Sequence, residues 1–496
     1  MTIRNLQVAF WLIFSFVFTS YAGEVYALSV YKPVAIDVKA LGAKGDGTTD
    51  DTKAIQQALN QAATASDKIV SFPAGQYLIS RTLRTAAAGT RMVFAKGASL
   101  KLANNTNGGI VIVHDNCSVE NATLQGNGQS APDLYQGYGI SLYGVSGSTV
   151  KNCIFTGISG FNIFLNRNAN KGCKQCVITG NTIKSPALSL PKGYDGSGIM
   201  IGYSGTGYAH TDNEVSNNTI DGAQTLGHGI AVMTHGSGNK IIGNTISNCL
   251  RYGIISYETS YEDSTLFTTS IINNTISNIG AKDGTTNNMG MGIYVMKTHG
   301  AIVKGNKVTN TLVNSDNTET LGRGAITVSG GVGCTVEDNT IINSNRYGIV
   351  CIYGFNTAIR NNKILGVKES GIYMRNTNGN VIEGNEFRDI AKLAIRGQFG
   401  NTGRPAYSSN GFLKRFRNIP TGENIRIANN KFYGTSTNVI NLVGEDDKTS
   451  PGFNNQLKDL DIQDNELIGN KNTIDKSIKV SNVAPGGSRI MRNRNN

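Results

Sequence analysis

NTIINSNRYGIVCIYGFNTAIRNNKI, residues Asn339 to Ile364, holds one full period of the pattern that decides the fold. It opens on Asn339-Thr340-Ile341, passes through Gly348-Ile349-Val350-Cys351, and reaches Asn362-Lys363-Ile364 after 23 residues; Asn385-Glu386-Phe387 follows after another 23. Outward from this stretch, the Asn-x-aliphatic phrase recurs at Asn181, Asn218, Asn244, Asn274, Asn306, Asn430 and Asn465. The Gly-Ile phrase recurs at Gly139, Gly198, Gly229, Gly253, Gly292 and Gly371. A fixed period governs architecture ahead of local propensity. This one fits three strands of ~4–5 residues joined by three turns, with successive periods stacked at ~4.8 Å through parallel ladders. The chain is therefore expected to be an all-β solenoid, with its function on a long lateral face.

A chain of 496 residues would ordinarily divide into several domains, but a solenoid extends one core along one axis. Sixty glycines and 39% hydrophobic residues suit many short strands with tight turns. Residues 1–27 read as a secretory signal: Arg4 supplies the charge, Val8 to Phe18 the short apolar run, and Val25-Tyr26-Ala27 a cleavage site. No later apolar stretch is long enough to span a membrane. The expected location is secreted or periplasmic. The formal net charge of +12 calls for an anionic partner or a solvated surface. Export argues against nucleic acid and leaves acidic polysaccharide as the expected partner, bound by a monomer or a homotrimer. Of seven cysteines, Cys249, Cys334 and Cys351 are expected inside repeating strands as small apolar residues. Cys173 and Cys176 form a lone CxxC in a loop, open to a disulfide. No metal site is assigned. The cofactor is left undetermined, with a divalent cation such as Ca2+ admitted.

The segment from Val34 to Leu83 differs from the repeats. Asp46-Gly47 marks a turn, Thr48 to Thr52 is expected to start a helix with Asp50 and Asp51 as caps, and Ile55, Leu59 and Ala62 follow at helical spacing. The run Leu41-Gly42-Ala43-Lys44-Gly45-Asp46-Gly47, then Asp50-Asp51-Thr52-Lys53-Ala54-Ile55-Gln56, then Phe72-Pro73-Ala74-Gly75, resembles the pectate-lyase-like family that includes rhamnogalacturonase and epimerase-like proteins; Leu41 stands where that family usually has an aromatic residue. The resemblance implies a right-handed single-stranded parallel β-helix (the pectin-lyase-like solenoid) sealed at its N-terminal end by a short capping helix. It speaks to fold more than to activity. The division expected is a cap with first strands over 28–107 and β-helix repeats over 108–496.

The recurring Asn tolerates left-handed backbone and can bond neighbouring backbone groups, so stacked copies are expected to form a buried amide ladder. Its Asn-x-Thr sequons would then be closed to glycosylation. Longer periods mark loops. One is expected near Tyr257 to Phe267. A loop insert over 396–420 carries Arg404, Lys414, Arg415 and Arg417 with Tyr407, Phe412 and Phe416, a mixture suited to a sugar-acid chain.

Stacking turns the sequence into columns. The residue ahead of the Gly reads Ser197, His228, Tyr252, Met291, Gly324, Tyr347, Ser370. The one before that reads Gly196, Gly227, Arg251, Gly290, Arg323, Arg346, Glu369. Val350 is expected to face outward between inward Ile349 and Cys351. Titratable groups gather on the middle rungs, while outward positions elsewhere look plainer. The catalytic candidates are His228, Tyr257, Tyr294, Arg251, Lys297, Glu258 and Asp195. The substrate-binding candidates are Tyr252, His299, Arg346, Tyr347, Arg404 and Arg417.

Three chemistries compete. Gly227-His228-Gly229 resembles a phrase of the polygalacturonases, in which the His accompanies catalytic aspartates, but no matching Asp pair is present and Asp195 is only a loose echo. Lyase or epimerase chemistry on a uronate needs a cation for the carboxylate, a base and an acid: Arg251 or Lys297, His228, and Tyr257 or Tyr294, with Glu258 orienting the base or holding a divalent ion. Met233, His235, Met291, Met296 and His299 suggest a copper-related role, as in proteins resembling the NosD group. A purely binding or adhesin role completes the set. Cleavage or modification of an acidic, uronate-containing polysaccharide by proton abstraction leads.

Overall fold

The computed structural model describes residues 33–495 apart from 105, 107, 128–136, 185–195, 204–208, 235, 258–267, 281–289, 312–321, 401–421, 435–438, 445–455, 470–472 and 486–487. The secretory segment lies outside the described residues, as do Asp195, His235, Glu258, Arg404, Arg417 and the other insert residues singled out above. The body that follows begins at Ala35.

Within that body the described strands form three sheets of 16, 16 and 14 strands, and after the first rung each strand pairs with the third one on in sequence. The pairing is parallel in all three sheets. One rung runs Asn239–Ile242 in the first sheet, Thr245–Ser247 in the second and Tyr252–Tyr257 in the third. This is the right-handed parallel β-helix that the family resemblance implies. No helix among the described residues is long and apolar enough to cross a membrane.

Strand alternation sends one row of each sheet inward. In the third sheet Ile199, Ile230, Ile254, Ile293, Ile326, Ile349 and Ile372 stack in register, and all are fully buried. Each such side chain adds ~1.5–3 kcal/mol of burial, which offsets the ordering of its rung. The glycine ahead of most of these Ile residues answers a packing demand. A methyl on Gly198 would lie 2.7 Å from the Gly229 carbonyl oxygen and 2.9 Å from Cγ2 of Ile220 in the second sheet. On Gly253 it would meet Ile276 Cγ2 at 2.5 Å and the Gly292 carbonyl at 2.7 Å. On these rungs the sheets close so tightly that only a hydrogen fits, whereas Ala325, Ala394 and Val439 stand at the same position ahead of Ile326, Ile395 and Ile440.

The Asn ladder runs unbroken through Asn181, Asn218, Asn244, Asn274, Asn306, Asn339, Asn362, Asn385, Asn430 and Asn465, all buried. Asn306 shows the unit. Its Nδ2 donates to Asn339 Oδ1 (3.0 Å) and to the Ile271 carbonyl (2.8 Å), while its Oδ1 accepts from Asn274 N (2.9 Å) and Asn274 Nδ2 (3.0 Å). The left-handed residue is the one just before: Asn217, Asn273, Asp338, Asn361, Asn429 and Asp464 have φ of 53–56°. The ladder Asn therefore has a single duty, hydrogen bonding, and its neighbour takes the turn that was expected of it. A second, shorter ladder stands at the preceding corner, where Cys176 N donates to Asn213 Oδ1 and Asn213 Nδ2 to Asn239 Oδ1, both at 3.0 Å.

Several sequence expectations need correction. The helix spans Thr52–Gln61, with Asp46–Asp50 a strand, and the aspartates do not cap it as a conventional pair. Asp51 accepts from Lys44 N (2.6 Å) and Gly45 N (3.0 Å), tying down the entering loop; Asp50 accepts from Thr52 N (3.0 Å) and Ser80 Oγ (2.6 Å). Ile55, Leu59 and Ala62 are buried as their spacing implies. Residues 396–399 belong to the strand Leu393–Phe399, so the insert starts later than 396. Cys249 and Cys334 sit beside strands rather than in them, and Cys173 and Cys176 are buried at a rung corner as free thiols.

The ladder yields a stability prediction. Asn306→Ala leaves the Asn274 donors and the Ile271 carbonyl without partners in the interior, so denaturant unfolding should show a loss of about 2 kcal/mol or more. Thr309→Ala, on the outward row of the same strand, should change stability by less than about 0.5 kcal/mol.

Candidate functional site on the third sheet

The outward face of the third sheet carries three rows. The first holds Ser197, His228, Tyr252 and Met291; the second Met200, Ala231, Ile255 and Tyr294; the third Met233, Tyr257 and Met296. Such a face would ordinarily be solvated. Here Phe161, Phe164, Met200, Ala231, Tyr252, Ile255 and Met291 form a buried apolar cluster, with Tyr203, Met233, Tyr257 and Tyr294 packed on it. A polar group in this setting is desolvated, which strengthens its electrostatics.

The register divides the candidate residues between two edges. His228 heads its strand and Met233, in line with Tyr257, ends it; five residues of extended chain separate them by ~17 Å. At the leading edge, His228 Nδ1 lies 3.2 Å from Ser197 Oγ, and its ring stacks on Tyr252 at 5.4 Å. Burial pulls the His228 pKa down to about 4, so the imidazole is neutral at ordinary pH. Arg251 precedes Tyr252 at this edge, its backbone N bonded to the Gly227 carbonyl (2.9 Å). At the trailing edge, Lys297 Nζ donates to Tyr257 Oη (3.5 Å) and lies 5.2 Å from the centroid of that ring. Tyr294 links the two edges: its ring stacks on Tyr252 at 5.5 Å, and its hydroxyl donates to Met296 Sδ at 2.8 Å. His228 and Lys297 therefore do not share one reaction centre.

Lys297 is the unusual member. It is buried, yet its φ is +51°. The equivalent turn on other rungs is taken by Gly144, Gly330, Tyr353 and Asn376, whose backbone N–H groups bond the next rung in the same way. A Lys there costs about 1 kcal/mol over Gly, a strain that points toward function. His299 lies two residues further on, at the corner where it bridges Val332. The methionines proposed for copper are also divided: Met291 opens the strand that Met296 closes, again ~17 Å apart.

A second cluster includes the substrate-binding candidates Arg346 and Tyr347, together with Tyr373 and Arg396, which the sequence reading did not single out. Val350 does face outward but is buried, packed with Tyr347, Ile352, Tyr353 and Tyr373. The rings of Tyr347 and Tyr373 stack at 4.8 Å, with Arg346 over Tyr347 (5.1 Å) and Arg396 over Tyr373 (5.5 Å). The C-terminal rungs are thus not plainer than the middle ones. Extending the columns from Tyr294 through Val350 to Tyr373 and Arg396 would have revealed them.

The residues 35–310 match the family described as rhamnogalacturonase A/epimerase, pectate lyase-like. The chain belongs to that family. Residues 268–449 also match the periplasmic copper-binding protein (NosD) description. Among curated proteins, 69 residues are 48% identical to a probable glucan endo-1,3-beta-glucosidase of Arthroderma benhamiae, and 53 residues are 42% identical to the mannuronan C5-epimerase AlgE1 of Azotobacter vinelandii. These are 13% and 11% of this chain but only 8% and 4% of those proteins. The chain thus spans under a tenth of the length of these curated relatives. Among solved structures, the family 28 exopolygalacturonase of Yersinia enterocolitica is similar with a TM-score of 0.53 and 13% identity, over 75% of this chain and 79% of that one. The surface adhesin PfbA of Streptococcus pneumoniae is similar with a TM-score of 0.52 and 17% identity, over 74% and 93%. At those identities the likeness is one of fold.

Two measurements test the site. Lys297→Gly removes the backbone strain, so its melting temperature should equal or exceed that of the parent. The folded pKa of His228 lies below its unfolded value of 6.5, so the stability it confers is present above pH 6.5 and is lost as pH falls toward 4. The loss is on the order of 3 kcal/mol. Urea unfolding of His228→Gln across that range should show a correspondingly shallower decline.

Proposed function

We propose that the protein acts on an acidic, uronate-containing polysaccharide by lyase- or epimerase-type proton abstraction, with Lys297, Tyr257 and Tyr294 at the reaction centre. The observation that carries this reading is the desolvated Lys297 ammonium, strained into place against the Tyr257 hydroxyl. The Lys297 cation pairs with the substrate carboxylate and makes the C–H beside it more acidic. Because Lys297 donates to the Tyr257 oxygen, the phenol's own proton is left directed away from the ammonium, available for transfer. Tyr294, one row inward, is the second proton-transfer group. In an epimerase, one tyrosine acts as a phenolate that takes the C5 proton and becomes a phenol, while the other, as a phenol, gives its proton to the opposite face and becomes the phenolate. In a lyase, the phenolate takes the C5 proton, the C4–C5 double bond forms, and the C4 glycosidic oxygen leaves with the proton of the other phenol. His228 acts through the His228–Tyr252–Tyr294 stack and positions Tyr294.

The residue types favour this over glycoside hydrolysis. The described outward positions of the strands Ser197–Ile201, His228–Met233, Tyr252–Tyr257 and Met291–Met296 carry no carboxylate, whereas hydrolysis relies on a pair. Names among the relatives, a mannuronan epimerase and a polygalacturonase, lend support to a polyuronate substrate.

The test is incubation of the mature protein with polygalacturonate and with polymannuronate. New ultraviolet absorbance identifies a lyase, and altered proton spectra at constant chain length an epimerase. Tyr257→Phe should lower kcat about a hundredfold with a smaller change in KM. New reducing ends without absorbance would replace this reading with hydrolysis, and no change in any polymer would leave binding alone.

A further inference from the structure

Several basic residues of the first sheet and its following turn are ion-paired across rungs: Lys304 meets Glu337 (2.7 Å), Arg360 and Arg426 share Glu383 (3.7 and 3.4 Å), and Arg492 meets Asp464 (2.8 Å). Two cations of the third sheet are held otherwise, as Arg388 of the second sheet is over Tyr433 at 3.8 Å. Arg346 and Arg396 have no ion-pair partner among the described residues, and the nearby Glu369 carboxylate is engaged by Lys392 at 2.6 Å. Each guanidinium instead lies on an aromatic face, Arg346 over Tyr347 and Arg396 over Tyr373. The two rings stack on each other at 4.8 Å, and the Tyr373 hydroxyl is fixed by donation to Gln398 Oε1 at 2.7 Å. Gly322 lies so close over Val350 and Tyr373 that a methyl on it would come within 2.8 Å of Val350 Cγ1. The rings are buried supports, while both arginines remain half-exposed. A guanidinium held against a ring has less rotamer freedom to lose on binding an anion, and its planar fork matches a carboxylate.

Register locates this pair relative to Lys297. Tyr294 aligns in turn with Thr327, Val350, Tyr373 and Arg396, so Arg396 is four rungs from the Tyr294 rung, ~19 Å along the axis. Arg346 precedes Tyr347, on the rung of Val350, two rungs from Tyr294 and at the leading edge, ~17 Å or more across the strand from the edge that holds Lys297, so a chain joining them crosses the sheet obliquely. The turn that holds Lys297 recurs on that rung as Tyr353, also left-handed at φ +52° and packed in the same cluster. One unit of a polyuronate is about as long as one rung.

We propose that Arg346 and Arg396 form a distal carboxylate-binding subsite for the same polyuronate chain whose reacting unit lies at Lys297. This inference rests on the acidic-polysaccharide reading and adds to it a polarity: the chain extends from the centre toward the C-terminal rungs. It makes the protein a reader of chain length, because a trimer seated at Lys297 falls short of Arg396 and a decamer passes it.

The experiment measures binding of galacturonate and mannuronate oligomers of three and ten units to the full chain and to the Arg346→Gln/Arg396→Gln variant, with melting temperature as a check on folding. For the parent, the decamer should bind at least tenfold more tightly than the trimer. In the variant the decamer should lose that advantage while the trimer is unchanged. Equal losses for both lengths, or no loss for either in a folded variant, would overturn the distal subsite while leaving the polyuronate reading intact. Failure of the parent to bind either length would overturn the polyuronate reading itself, and the subsite with it. Should the variant not fold, single Arg346→Lys and Arg396→Lys changes keep the charge but lose the fork, and the same loss confined to the decamer is expected.

Discussion

The amide ladder is the constraint on which the rest of the structure depends. Every Asn in it bonds the rung ahead through its side chain and its backbone, so a slip of one rung by a single residue would break two hydrogen bonds in the interior at once. A one-residue slip would also turn the inward Ile row to the outside. Register is therefore specified twice, by polar groups at one corner and by apolar ones on the strands. The glycines at the other corner close the cross-section on the rungs that carry them, since an added methyl there would drive into the second sheet.

A scaffold so fixed converts sequence positions into columns, and the sheets then differ by what their outward columns carry. The first sheet alternates charge from rung to rung, Lys304, Glu337, Arg360, Glu383. Exposed pairs of this kind contribute little stability each, yet like charges in adjacent rungs would oppose the stack, so alternation keeps a long surface soluble without straining it. On the third sheet the outward rows are aromatic and largely buried, and its cations rest on rings.

The period, the inward rows and the Asn ladder were legible in the sequence because each repeats, and repetition exposes register without coordinates. The aligned column Ser197, His228, Tyr252, Met291 came from the same source. What remained hidden was position across the strand. His228 and Lys297 lie near each other on the list of polar middle-rung residues, but one begins a strand and the other follows the end of one, and only the pleat and strand length separate them. The strain at Lys297 was also invisible, because a lysine carries no signal for a left-handed turn; the Gly and Asn at the equivalent turns do. Tyr373 and Arg396 were missed because attention stayed on the residues ahead of each glycine, one of three outward rows. The aspartates at 50 and 51 were misread because acidic residues before a helix usually cap it, whereas here the entering loop competes for Asp51.

Two family descriptions meet on this chain, over 35–310 and 268–449, and overlap across residues 268–310. Had they marked two domains, the interior would change at the junction. It does not: Asn274, Asn306 and Asn339 continue the ladder through the overlap with the same bonds at 2.9–3.0 Å, and the third-sheet strands pair without interruption. Tyr294 and Lys297 sit inside that overlap. The two descriptions therefore divide one continuous surface. Because coupling along a solenoid runs only between neighbours, a partner gripping the rungs beyond 310 can act on the centre only by occupying the rungs between, as an extended polymer does and a small ligand does not.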